Sequence, residues 1–89
     1  MIKIVHARWI KDQQVTLAFS DGSEGVYDFS SPLAHKTPLT QPLQDTATFQ
    51  KFFLELGALC WPNGLEFSAD KLHVDLLAAN LLHQAAEAA

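Results

Sequence analysis

What this chain has little of narrows it first. Cys60 is the only cysteine, so no disulfide closes within the chain and no multi-cysteine metal site can form. Basic residues do not cluster: Lys3, Arg8, Lys11, Lys36, Lys51 and Lys71 are scattered, and the formal net charge is −4. Phosphate backbones are gripped by several cations on one face, so direct nucleic-acid binding is disfavoured. No run reaches the roughly 20 apolar residues that a membrane helix needs, and no membrane association is expected. The opening M-I-K-I-V-H-A-R-W lacks an apolar leader core and a cleavage site, which predicts a cytoplasmic protein. Phosphate-loop, dinucleotide-glycine and Gly-x-Ser-x-Gly patterns are missing as well.

What is present is a folding composition. Hydrophobic residues make up 48% and charged residues 18% of 89 positions. That predicts one domain over 1–89, with a core from about 2 to 77. A core this small leaves a thin stability margin, which makes self-association an expectation.

Three strands open the chain. Val5, Ala7 and Trp9 alternate with His6, Arg8 and Ile10, and Val15, Leu17 and Phe19 alternate with Thr16, Ala18 and Ser20. Period two is the strand signature. Asp21-Gly22 reads as a two-residue hairpin loop before a third strand from Gly25 to Phe29. That loop length pairs Phe19 with Glu24, Leu17 with Val26 and Val15 with Asp28. Tyr27 and Phe29 then lie on the face opposite Leu17 and Phe19, where with Trp9 they would form an exposed aromatic patch.

Ser30 to Leu43 carries Pro32, Pro38 and Pro42 and reads as a long irregular connection with one helical turn after Ser31. Asp45 or Thr46 caps the next predicted helix, whose stripe is Phe49, Phe52, Phe53 and Leu56, ending at Gly57. Leu59 to Leu72 is the most informative stretch. A short apolar run reaches Trp61, Pro62-Asn63-Gly64 makes a turn, Leu65 to Phe67 is a second short run, and Ser68 is an N-cap. A C-terminal helix is predicted over about 69–87, carrying Leu72, Leu76, Leu77, Leu81 and Leu82. The order is β-β-β-loop-α-β-(β)-α: an α+β fold, with helices packed on a small antiparallel sheet.

Reagents for chemistry are sparse. His6, His35, His73 and His83 show no metal-ligand spacing and read as solvent-facing, so no metal and no cofactor are expected. Cys60, between Leu59 and Trp61, reads as a core thiol. Asp70 and His73 share one helix face three residues apart, near Glu66 and Trp61. They define the alternative reading: a small-molecule or catalytic cleft at Trp61, Glu66, Asp70 and His73. The leading reading uses contact instead. The leucines of the last helix span a wider arc than one small sheet requires. With Trp9, Tyr27 and Phe29, residues Leu77, Leu81 and Leu82 form the candidate interaction surface. The partner would be a second protein or a second copy of the chain.

Three motifs in order, F-S-D-G-S-E-G-V-Y-D-F, P-L-Q-D-T-A-T-F-Q-K-F and W-P-N-G-L-E-F-S-A-D-K-L-H, resemble a widespread bacterial family, domain of unknown function 2442. The resemblance covers about Val5 to Leu76. It implies a small α+β domain that occurs alone or fused to a helix-turn-helix. It also implies frequent placement beside another small protein, in arrangements resembling toxin–antitoxin pairs. Thirteen residues after Leu76 cannot hold a helix-turn-helix, so the DNA-binding part of the likeness does not carry over. The family supplies no catalytic residues. The aromatic sheet, the wide leucine helix and the missing reagents thus predict a non-enzymatic interaction module, and the resemblance implies an antitoxin-like or regulatory role for it.

Overall fold

Alternating apolar residues build the first sheet. The computed structural model describes residues 1–84. The chain runs β1 (Ile4–Lys11), β2 (Gln14–Phe19), β3 (Ser23–Asp28), α1 (Ser30–Ala34), a 3-10 turn (Gln41–Gln44), α2 (Thr46–Phe49), β4 (Phe53–Glu55), β5 (Ala58–Cys60), β6 (Glu66–Phe67), α3 (Ala69–Ala78) and β7 (His83–Gln84). A four-stranded antiparallel sheet has the order β1-β2-β3-β7, and a three-stranded one has the order β4-β5-β6. The α+β class expected from the sequence is the class observed.

The β2–β3 register differs from the expected one by a single residue. The Gly22 N–H donates to Phe19 O at 3.0 Å, and Gly22 takes φ +87°. The loop is therefore Ser20-Asp21-Gly22, a turn closed by a left-handed glycine rather than a two-residue loop. Leu17 pairs with Gly25 and Val15 with Tyr27. A one-residue slip moves every side chain to the other face. Tyr27 and Phe29 thus join Val15, Leu17 and Phe19 in the core, and both are buried. The exposed aromatic patch expected of them does not exist.

Gly25 has a different task. An added Cβ would lie 2.6 Å from the carbonyl oxygen of Leu81. Its bare backbone lets the segment leaving α3 cross close to β3.

The predicted helix over Phe49 to Leu56 is another correction. Asp45 caps α2 as expected, its side chain accepting from the Thr48 N–H, but α2 stops at Phe49. The chain then extends, because Phe53–Glu55 pairs with Ala58–Cys60 across a two-residue turn. Leu56 and Gly57 have φ +52° and +83°, the pair of positive angles of a tight hairpin turn. The spacing of Phe49, Phe52, Phe53 and Leu56 imitates a helical stripe across two different elements.

The C-terminal helix is shorter than the expected 69–87. Ser68 caps its start, accepting from the Lys71 N–H. Asn80 takes φ +61°; its N–H donates to Leu77 O, and the Leu81 N–H donates to Leu76 O at 2.9 Å. These are the paired closing bonds of a left-handed C-cap. The chain then turns back to lay β7 along Ser23 and Glu24 of β3. The expected helical residues 85–87 lie outside the described residues.

The long proline-bearing connection is anchored. Leu33 and Leu43 are fully buried, and the Thr40 hydroxyl donates to His35 O at 2.7 Å. Between the sheets, Phe29, Phe49, Trp61 and Phe67 pack as one aromatic cluster. The Trp61 indole N–H donates to Phe49 O at 2.8 Å, so its one polar atom is satisfied in the core.

Leu56 combines a left-handed backbone with a side chain 94% exposed. A residue with a Cβ loses about 1 kcal/mol there, and no packing offsets it. Leu56→Asn makes the turn Asn-Gly and is expected to raise the unfolding free energy by up to about 1 kcal/mol. Urea unfolding checks this as a higher midpoint at unchanged slope.

Candidate interaction surface

α3 divides the functional face into two hollows. Leu72, Leu76 and Ala69 turn into the core, while Val74 and Leu77 point outward, 60% and 63% exposed. On one flank a solvent-open cavity of about 640 Å³ lies between α3, the edge of β3 and the start of α1, lined among others by Val26, Asp28, Lys71, Asp75 and Leu81. On the other flank a hollow of about 460 Å³ is lined among others by Asp21, His73, Leu77, Leu82 and His83.

A short polar chain fixes the first flank. The Tyr27 hydroxyl donates to Asp75 Oδ2 at 2.5 Å, and Lys71 Nζ approaches the same oxygen at 3.0 Å from one helical turn earlier. Burial, then the neighbouring Asp75 carboxylate, pushes the Tyr27 phenol far above its ordinary value. The phenol is thus a permanent donor and a poor proton source. The Tyr27 bond, and after it that of Lys71, holds the Asp75 carboxyl below its ordinary value.

The second flank pairs histidines with the β2–β3 hairpin. His73 Nε2 lies 3.0 Å from Asp21 Oδ2, and its ring meets Phe19 edge-on at a centroid distance of 5.0 Å. The Ser23 hydroxyl donates to the other Asp21 oxygen at 2.6 Å. The Ser23 bonds are the main reason that the Asp21 carboxyl titrates below its ordinary value. A serine–histidine–aspartate relay needs the imidazole between hydroxyl and carboxylate. Here the carboxylate stands between, so His73 is not placed to take the Ser23 proton. His73 is partly buried against Phe19, not the free surface residue the sequence suggested.

The alternative cleft does not assemble. Trp61 is core, Asp70 is exposed on the first turn of α3, and His73 turns to Asp21 instead. Glu66 lies on the other sheet, 3.7 Å from Cys60 Sγ. Burial, then Glu66, raises the Cys60 thiol above its ordinary value, which suits a structural cysteine. Of the candidate surface residues, Leu77 and Leu81 are exposed, Trp9 and Leu82 are half-buried, and Tyr27 and Phe29 are interior. The Trp9 indole is occupied, donating to Asp12 O at 3.0 Å. Among the described residues, no group of three His, Cys, Asp or Glu is placed to hold a metal ion. No helix among them is long and apolar enough to cross a membrane. Sequence reasoning missed the Tyr27–Asp75 and His73–Asp21 pairs. The signal for the first was Ser20-Asp21-Gly22, which sets the register that turns Tyr27 inward.

Two small antiparallel sheets joined by an aromatic core, with one capped helix across the larger sheet, define a small α+β domain. The family model described as "Protein of unknown function (DUF2442)" matches residues 4–86, and the chain belongs to that family. No curated protein and no solved structure matches it.

Tyr27→Phe removes one donor from Asp75 and leaves the ring in place. A lowered carboxyl stabilises the fold above its unfolded value near 3.8 and ceases to do so as pH falls through the lowered folded value. Wild type is therefore expected to exceed Tyr27→Phe in stability at neutral pH, by about 1 kcal/mol because the carboxyl is partly solvated. The gap is expected to close below pH 3.8. Parallel urea titrations from neutral to acid pH measure it.

Proposed function

We propose that the chain is a non-enzymatic protein-interaction module that associates with itself through the outer face of α3. One observation carries the reading: Val74 and Leu77 are 60% and 63% exposed on a helix that already fills the core with Leu72 and Leu76, and Leu81, just past its end, is 53% exposed. Val74 and Leu77 share one helical face, and contiguous exposed apolar surface of this kind marks contact sites. An isologous pair would cover the same ridge on both copies. The Tyr27–Asp75–Lys71 and His73–Asp21 pairs fasten α3 to the sheet on either side, giving the ridge a rigid base. The polar groups around it are already engaged with one another, which favours contact over bond-making. An antitoxin-like or regulatory role, as implied by the family likeness, and the cytoplasmic location expected from the sequence belong to the same reading.

Light scattering behind gel filtration tests it over about a hundredfold range of concentration. The mass is expected to rise toward that of a dimer, and Leu77→Asp is expected to return it to the monomer with folding intact, since Leu77 is exposed. A monomer throughout contradicts the self-association.

A further inference from the structure

The edge of β3 is half used. β7 covers only Ser23 and Glu24, and Val26 and Asp28 continue the same edge with no strand beside them among the described residues. Their backbone groups face outward. The Phe29 N–H points inward to Gln13 O at 2.8 Å, so by strand alternation Tyr27 and Gly25 also face β2, while Asp28, Val26 and Glu24 face away. The Glu24–His83 pairing on the outer side agrees. The open length borders the 640 Å³ cavity beneath α3. Unpaired edge groups beside a helix-walled groove are what strand addition uses.

We infer that this edge binds an extended peptide as an added strand, continuing the line that β7 begins, and that the peptide alternates apolar and basic residues. The inference rests on the interaction-module reading and names a partner class for it. Side chains on one face of the added strand enter the groove toward Leu76 and Ala79. Those on the other face sit beside Val26 and the Asp28 carboxylate, the Glu24 carboxylate next along the edge already facing His83 of β7. Cross-strand neighbours of opposite charge are favoured there and acidic ones are not. The net charge of −4 acts in the same direction.

The test uses the full chain and two blocked heptapeptides, Val-Lys-Val-Lys-Val-Lys-Val and its glutamate counterpart, followed by backbone amide shifts. The lysine peptide is expected to move the Val26 and Asp28 amides and to bind at least about tenfold more tightly than the glutamate peptide. Val26→Pro removes the outward donor at an edge that tolerates proline and changes no charge. It is expected to weaken binding at least about tenfold, whereas Val26→Thr is expected to retain it. Should Val26→Pro perturb folding, Asp28→Asn keeps the side-chain acceptor for the Ser30 N–H and is expected to weaken the lysine peptide about threefold. Equal binding of both peptides, shifts that spare Val26 and Asp28, or undiminished binding by the Val26→Pro and Asp28→Asn variants overturns the inference. If peptide binding fails while Leu77→Asp still dissolves a dimer, strand addition falls and the interaction module stands. If the edge binds the lysine peptide in a strictly monomeric chain, strand addition holds and self-association falls.

Discussion

Everything in this structure depends on Phe29 lying between the sheets. Its ring meets Tyr27 at 4.5 Å, Phe67 at 5.3 Å, Trp61 at 5.8 Å and Phe49 at 5.9 Å between centroids. Those partners come from β3, β6, the end of β5 and α2. Each sheet alone is too small to bury its own apolar face, and isolated hairpins are marginal in water. A fully buried aromatic residue that touches both supplies the common core. The Trp61 indole bond to the Phe49 carbonyl closes the same cluster without leaving a polar atom unsatisfied.

That junction sets the outer surface. Once Phe29 and Tyr27 are inside, Tyr27 can reach Asp75, and α3 is fixed across the sheet at its middle. Fixing α3 there decides which leucines are core and which are left outside. Among the described residues it also leaves β3 open past Glu24, since the chain returning from Asn80 joins the edge only at His83 and Gln84. The contact ridge and the open edge are both consequences of where one helix is pinned and where it stops.

The sequence made the strands and caps plain where a local cause was sufficient. Alternation in β1 and β2, the Asp45 and Ser68 caps and the turn at Pro62-Asn63-Gly64 are each determined within a few residues. Three features failed where local signals admitted two answers. Gly57 suits both a helix end and the second position of a tight hairpin turn, and only pairing with β5 chooses. Ser20-Asp21-Gly22 can turn with two residues or three, and the choice flips Tyr27 and Phe29 between surface and core. The alanines after Leu77 favour helix, yet Asn80 ends it in the left-handed region. Of the candidate surface, the exposure of Leu77 agrees with the breadth of the leucine arc, whereas Leu81 is exposed past the end of the helix and not on that arc. The Tyr27–Asp75 and His73–Asp21 pairs join residues about fifty positions apart, and no local pattern marks them.

Native-state hydrogen exchange on wild type and Phe29→Leu tests the junction most directly. If that ring couples the sheets, the amides of Leu17 in β2 and Leu59 in β5 will lose the same protection free energy, about 1 kcal/mol or more. A loss confined to one of the two strands would show that the sheets are held independently and would contradict the account.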